Sequence, residues 1–243
     1  MKLLLKSLFL VSFATILYFP AFAEEQPEPV ESKLKSDFPT LVFTEIKPTP
    51  IDGMYEVVAS GQIFYYFPGS SHLMFGALID KSGTNLTDLA KEALQEKMLA
   101  ELPLDKAVKI GHGPKKVIEV TDPDCPYCRK ASEFFNDKDE LVTRYVFFFP
   151  LMQIHPDAAT KAAFVLSSED RAAAYHDVMS GKYDTLALPT FEDNLLLDDH
   201  LVLAGQLGVR STPQFWIEGE NIQGANIAEL ERLIAPPKAD SGS

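Results

Sequence analysis

The chain has 243 residues, 46% of them hydrophobic, with 22 Lys+Arg against 35 Asp+Glu and a formal charge of −13. That surplus of acid argues against nucleic acid and anionic membrane surfaces as partners, and says nothing about fold. Length and apolar content allow one large domain or two modest ones.

The N-terminus reads MKLLLKSLFLVSFATILYFPAFA, with Lys2 and Lys6 ahead of an apolar run from Ser7 to Phe19. This run falls short of the ~20 residues of a membrane span. Ala21-Phe22-Ala23 has the small-residue pattern of a cleavage site. A secretory signal peptide over residues 1–23, removed after Ala23, is expected, with an uncleaved anchor as the competing reading. No cysteine follows the site to take a lipid. The mature chain would carry 20 Lys+Arg against 35 Asp+Glu, and would work outside the cytoplasm.

Glu24–Glu31 is acidic and Pro-rich, a flexible leader. Val30–Phe38 suits a short helix, Leu41–Ile46 a strand, and Tyr55–Ala59, Ser60-Gly61 and Ile63–Phe67 a β-hairpin. Leu73–Ile79 reads as a further strand of this small antiparallel sheet. Its aromatic cluster, Phe64, Tyr65, Tyr66, Phe67, Met74 and Phe75, is read as packed core, with a peptide-binding or dimer surface as the alternative. Asn85–Leu102 changes to helical spacing, capped by Asn85 or Thr87 and ended by Pro103, a linker helix of ~27 Å.

Lys116–Thr121 reads as a buried strand and Leu141–Phe149 as a second. Arg129–Asn136 between them is amphipathic, with Ala131, Phe134 and Phe135 facing a core. Pro156–Ser167, Glu169–Ser180 and Asp198–Leu207 suit helices, with Gly181 as a stop. Phe215–Glu218 reads as a strand, Gly219–Asn221 as a turn, Ala228–Ile234 as a last helix, and the end APPKADSGS as disordered. The alternation of strands and helices is an α/β pattern.

Between the first two of these strands and helices lies TDPDCPYCRK, which holds Cys125 and Cys128, the only two cysteines. Exported proteins use disulfides to staple distant segments, but a bridge from i to i+3 closes too short a loop to staple anything. Redox chemistry explains the spacing. A C-x-x-C that ends a strand and opens a helix places its first sulfur at the helix N-terminus, where unpaired N–H groups and the macrodipole favour thiolate. Cys125 is then the exposed attacking sulfur and Cys128, one turn on, the shielded resolving one. Pro126 suits the first turn, and Tyr127 tunes the pair. Asp122 and Asp124 oppose the thiolate if they lie close. Glu119 is either a buried acid beneath the pair, carrying protons to or from Cys128, or a strand-edge acid in water. Pro213, before the strand FWIE, is either an ordinary strand-start proline or a cis residue beside Cys125. In the cis case Thr212 would present its backbone to an extended client. A zinc site needs two more ligands, and His72, His112, His155, His176 and His200 show no ligand spacing.

VIEVTDPDCPYCRK resembles the active-site segment of the DsbC/DsbG disulfide isomerases of the Gram-negative periplasm. GMYEVVASGQIFYYF and LMFGALIDKSGTNLT resemble that family's N-terminal domain, and LPLDKAVKIG its linker exit. HPDAATKAAFVLSSEDRAAAYHDVMSGK resembles its helical insertion, and QLGVRSTPQFWI its substrate-binding proline loop. The likeness covers roughly residues 30 to 235. It implies an α+β protein: a small antiparallel-sheet, cystatin-like dimerisation domain over 24–83, a linker helix over 84–103, and a thioredoxin-fold catalytic domain over 104–235. The helical insertion would span about 156–205, with a disordered tail over 236–243. The resemblance also implies a homodimer with an apolar cleft, a cis Pro213 beside Thr212, a redox disulfide Cys125–Cys128, misoxidised exported proteins as clients and a DsbD-type membrane reductase. No cofactor and no metal are implied. Some members carry a second, structural cysteine pair, which this chain lacks. CPYC is also a DsbG-like dipeptide choice, so a reductase of cysteine sulfenic acids stands beside the isomerase, and a holdase with secondary redox activity is a third reading.

Overall fold

A computed structural model describes residues 29–236. The expected signal peptide, the leader up to residue 28 and the tail from residue 237 lie outside the described residues.

Helix α1 (Val30–Asp37) opens the described chain. Strands β1 (Phe43–Pro48), β2 (Tyr55–Ala59), β3 (Gln62–Phe67) and β4 (His72–Met74) follow as an antiparallel sheet in that order. The period-2 alternation of strands sends Val57, Ala59, Phe64 and Tyr66 to one face, where they pack with Leu34 of α1. Tyr65 points the other way, to the hydroxyl of Thr87 in helix α2 (Leu86–Ala100). Phe64, Tyr65 and Tyr66 are buried, whereas Met74 and Phe75 are 42% and 70% exposed. The aromatic cluster thus divides into core and surface.

The strand expected over Leu73–Ile79 stops at Met74. Beyond it the chain is claimed by the start of α2: Leu78 N–H donates to Thr87 Oγ1 at 2.7 Å and Leu86 N–H to Leu78 O at 2.8 Å. Asn85 caps α2 by accepting from Asp88 N–H. The helix is three residues shorter than expected, ~22 Å at 1.5 Å per residue. Its last turn and the residues after it, Met98, Leu99 and Leu102, pack against Leu203 of α6 (Leu196–Gln206) and Leu207 at its C-cap. The Ser60-Gly61 turn between β2 and β3 has both φ angles positive, as a two-residue hairpin loop of this hand requires. A Cβ on Gly61 would stand 2.0 Å from the backbone oxygen of Gln206, so only glycine fits the approach of the small sheet to α6.

The second sheet has the order β5-β7-β6-β8-β9. Its strands are β5 (Val108–Ile110), β6 (Lys115–Thr121), β7 (Val142–Phe148), β8 (Gln214–Ile217) and β9 (Glu220–Gln223). β6 and β7 run parallel, joined by α3 (Pro126–Phe135), and the other pairs are antiparallel. Ile118, Val120, Phe147 and Trp216 face α6. Val117 and Phe215 face α3 and the last helix, α7 (Ile227–Ile234). Helices α4 (Ala158–Ser167) and α5 (Arg171–Met179) cover the rest of the α3 side. The turn expected at Gly219–Asn221 is displaced: Glu218 and Gly219 make it, and Asn221 already pairs with Trp216 in β9.

Candidate functional site

Strand β6 delivers the chain to the CPYC segment, and α3 begins inside it. Cys125 is the N-cap residue of α3 and Pro126 its first residue, where a missing N–H leaves no bond unmade. Both sulfurs are free thiols. Cys128 is fully buried, and the backbone N–H of Asp122 donates to its sulfur at 3.3 Å.

Cys125 departs from the expected exposed nucleophile: it is only 5% exposed. The cover comes from the far end of the domain, where the Thr212–Pro213 peptide is cis and Cys125 S–H donates to Thr212 O at 3.6 Å. Tyr127, 64% exposed, takes the outward position of the motif. The Cys125 thiol is held down to about 5. A hydrogen bond from Cys128 is the leading cause; burial opposes it, and backbone N–H groups of Cys128 and Tyr127 at the helix start add to it. Cys128 is pushed well up by burial and by its proximity to Cys125. The two sulfurs are thus shifted in opposite directions, Cys125 towards the thiolate and Cys128 towards the protonated thiol.

Glu119 is fully buried, so the water-facing reading does not apply. Its Oε2 accepts from Arg144 Nη1 at 3.0 Å and its Oε1 from the Tyr175 hydroxyl at 3.2 Å. Arg144, itself 1% exposed, lies over the rings of Phe135 and Tyr175. Among the described residues no hydrogen bond joins Glu119 to either sulfur.

Two family models match the chain. A "Disulfide bond isomerase protein N-terminal domain" covers residues 21–88 and a "Thioredoxin-like domain" residues 102–235. The chain is 31% identical over 206 residues to the probable thiol:disulfide interchange protein DsbC of Bordetella pertussis, covering 83% of this chain and 71% of that one. The chain belongs to the DsbC family. It is 28% identical over 205 residues to the thiol:disulfide interchange protein DsbC of Escherichia coli K12, covering 83% of each. A solved disulfide interchange protein from Neisseria gonorrhoeae aligns with a TM-score of 0.48 at 31% identity, over 55% of this chain and 96% of that one. As a DsbC-family protein the chain is a thiol:disulfide oxidoreductase with a thioredoxin-like domain and a DsbC-type N-terminal domain.

The residues around the DsbC-family motif answer what the acids before Cys125 do. Asp122 is fully buried and its carboxylate is saturated: Oδ1 accepts from Asp124 N–H at 2.8 Å, and Oδ2 from Leu151 N–H at 2.7 Å and the His155 ring at 2.8 Å. Asp124 is paired with Arg129 and Lys161. Lys161, His155, Arg144 and Tyr175 were not flagged by spacing. The one signal available was Arg144, a lone charge amid LVTRYVFFF.

Proposed function

We propose that Cys125 and Cys128 carry out disulfide isomerisation and reduction on exported proteins, with Cys125 as nucleophile and Cys128 as resolving thiol. The observation that supports this most directly is the split between the two sulfurs, with Cys125 at about 5 and Cys128 raised. The Cys125 thiolate attacks one sulfur of a client disulfide, and the other client sulfur leaves as thiolate. If a second client thiolate then attacks the client sulfur of the mixed disulfide, a new client disulfide forms and Cys125 is released unchanged. If Cys128 attacks Cys125 instead, the client leaves reduced and the Cys125–Cys128 disulfide remains. A DsbD-type membrane reductase would return two electrons to that disulfide.

In this reading Pro126 fixes the helix start and Tyr127 touches the client. Thr212, beside cis Pro213, offers its backbone to an extended client segment, as in strand addition. Glu119, buried on the strand that leads to the motif, carries protons to or from Cys128. The signal peptide is cleaved after Ala23, the protein works in the periplasm, and residues 24–83 form a homodimer. The exposed Met74, Phe75 and Ile79 supply the apolar surface such a contact needs.

One observation favours a client-gripping role beside the redox one. Met152 and Ile154 are 54% and 68% exposed on the turn that Asp122 anchors beside the motif, and Tyr127 is exposed within it. Reactivation of scrambled ribonuclease by the mature protein tests the main reading. Activity that vanishes in Cys125→Ser supports isomerisation. Failure to reactivate, with aggregation still suppressed by Cys125→Ser, Cys128→Ser, moves the assignment to a holdase. Failure with reduction of single-thiol sulfenic acids moves it to the DsbG-like reductase.

A further inference from the structure

Arg129, the residue after Cys128, folds its guanidinium back across the start of α3. Its Nε donates to Pro123 O at 2.8 Å, its Nη2 to Asp124 Oδ1 at 2.9 Å and to Asp184 Oδ1 at 2.8 Å, and its Nη1 to Asp184 Oδ2 at 2.5 Å. Lys161 of α4, 6% exposed, donates to Asp124 Oδ1 at 2.5 Å and Asp184 Oδ1 at 2.7 Å. Asp184 comes from the 3₁₀ turn Lys182–Asp184 of the helical insertion. A Cβ on Gly181 would stand 3.0 Å from Asp184 Oδ2, so that turn is built tightly around the carboxylate.

Two cations and two anions thus close over the chain entering and leaving the CPYC motif, and their charges sum to zero. Pro123 and Asp124 are the last two residues before Cys125. Asp122 is matched separately with His155, and Glu119 with Arg144 and Tyr175, while Lys130, two residues after Cys128, is exposed. His176 on α5 and Arg210, two residues before Thr212, lie on elements that flank the pair. Neither is a member of the cluster.

We propose that the cluster of Asp124, Arg129, Lys161 and Asp184 sets the reduction potential of the Cys125/Cys128 pair by cancelling the charge of Asp124 beside the nucleophile. The helical insertion then acts as a tuning element of the active site, and its Lys161 and Asp184 are positioning residues with opposite electrostatic effects. An unmatched carboxylate beside a thiolate disfavours it. A less stable thiolate makes the dithiol a better reductant. Removing Lys161 leaves the cluster at −1, and removing the Asp184 charge leaves it at +1.

The proposal rests on the redox pair assigned above. The full mature protein is equilibrated in glutathione buffers and the free thiols are trapped by alkylation. Glutathione disulfide takes two electrons and two protons from the dithiol, giving two glutathione thiols and the Cys125–Cys128 disulfide. Lys161→Met is expected to raise the equilibrium constant for oxidation and Asp184→Asn to lower it, each by about 3- to 10-fold. Tenfold corresponds to about 30 mV for this two-electron couple. The double variant is expected to return towards wild type. Opposite signs are the signature, because a merely structural loss would move both variants the same way. Asp184→Asn keeps the shape of a side chain that is 38% exposed, so it reports even if Lys161→Met fails to fold. Shifts of the same sign, or an Asp184→Asn constant within twofold of wild type, overturn the proposal. A wild type that forms no Cys125–Cys128 disulfide in any buffer overturns the redox pair itself and this proposal with it.

Discussion

The backbone N–H of Asp122 donates to the sulfur of Cys128 at 3.3 Å, and the side chain of the same residue accepts from Asp124, Leu151 and His155. One residue therefore holds the resolving sulfur, the loop to the nucleophile and the apolar turn after β7. Asp122→Asn must point an amide N–H at one of three donors. The loss is expected to be about 1–3 kcal/mol. Urea unfolding of the reduced protein checks it, and an unchanged midpoint would remove Asp122 from this role.

Cys125 should alkylate with iodoacetamide at a rate that rises through a midpoint near pH 5, with thiolate absorbance at 240 nm following the same curve. The shift also sets stability. Its folded value lies below the unfolded one, so the Cys125 contribution is complete above about pH 8.5 and lost as pH falls through 5. Cys128 is shifted the other way, and its contribution is lost as pH rises past an unfolded thiol's value. A reduced Cys128→Ala protein, which has no side-chain donor at that position, whose Cys125 midpoint stayed at 5 would contradict the leading role of the Cys128 hydrogen bond.

His200 is buried between β7 and the start of β5. Its Nδ1 accepts from Phe148 N–H at 3.0 Å and its Nε2 donates to Lys106 O at 3.1 Å. Burial pulls it down to about 4. The unfolded chain then binds the extra proton first, so this contribution is intact above about pH 6.5 and disappears as pH falls to 4. The loss amounts to about 3 kcal/mol at about 1.4 kcal/mol per unit. His200→Gln should be less stable at pH 7, with the gap to wild type narrowing at pH 5. A constant gap would show that His200 does not titrate on unfolding.

Glu119→Gln leaves Arg144 buried without its anion. A cost of about 3–5 kcal/mol is expected, most of it recovered by adding Arg144→Met. Guanidinium unfolding of the four proteins of this cycle measures it. The recovered double variant then isolates the proton-carrier role: closure of Cys125–Cys128 from a mixed disulfide should remain slower than wild type. Closure at the wild-type rate would leave Glu119 with a structural role alone.

Phe75 and Met74 lie at the exposed edge of the small sheet. The mature protein is expected to sediment as a dimer, and Phe75→Asp as a monomer with an unchanged circular-dichroism spectrum. A Phe75→Asp protein that still sediments as a dimer would place the contact elsewhere.

The redox motif was legible because its chemistry is local. A strand ending at Thr121, a proline at the first helical position and a three-residue cysteine spacing require no distant partner. The residues that match Asp124 were not legible, since Lys161 lies 37 positions away and Asp184 arrives from a 3₁₀ turn with no periodicity. Leu73–Ile79 has the composition of a strand, yet its second half bonds to Thr87 instead, a tertiary competition that strand propensity does not contain. β5, three residues long, is too short to leave a pattern. Cys125 was expected in the open because its own segment ends a strand; the cover over it is folded in from Thr212, 87 residues on.

Helix α2 is fastened at both ends, to Tyr65 through Thr87 and to α6 through Met98, Leu99 and Leu102. A rod fixed in this way behaves as a strut rather than a tether. If two copies join through their small sheets, the gap between their two sulfur pairs is set by the strut's ~22 Å and its angle. Clients of different girth would then have to be accommodated by bending at the joint between copies, so the stiffness of that joint would govern which chains the pair can embrace.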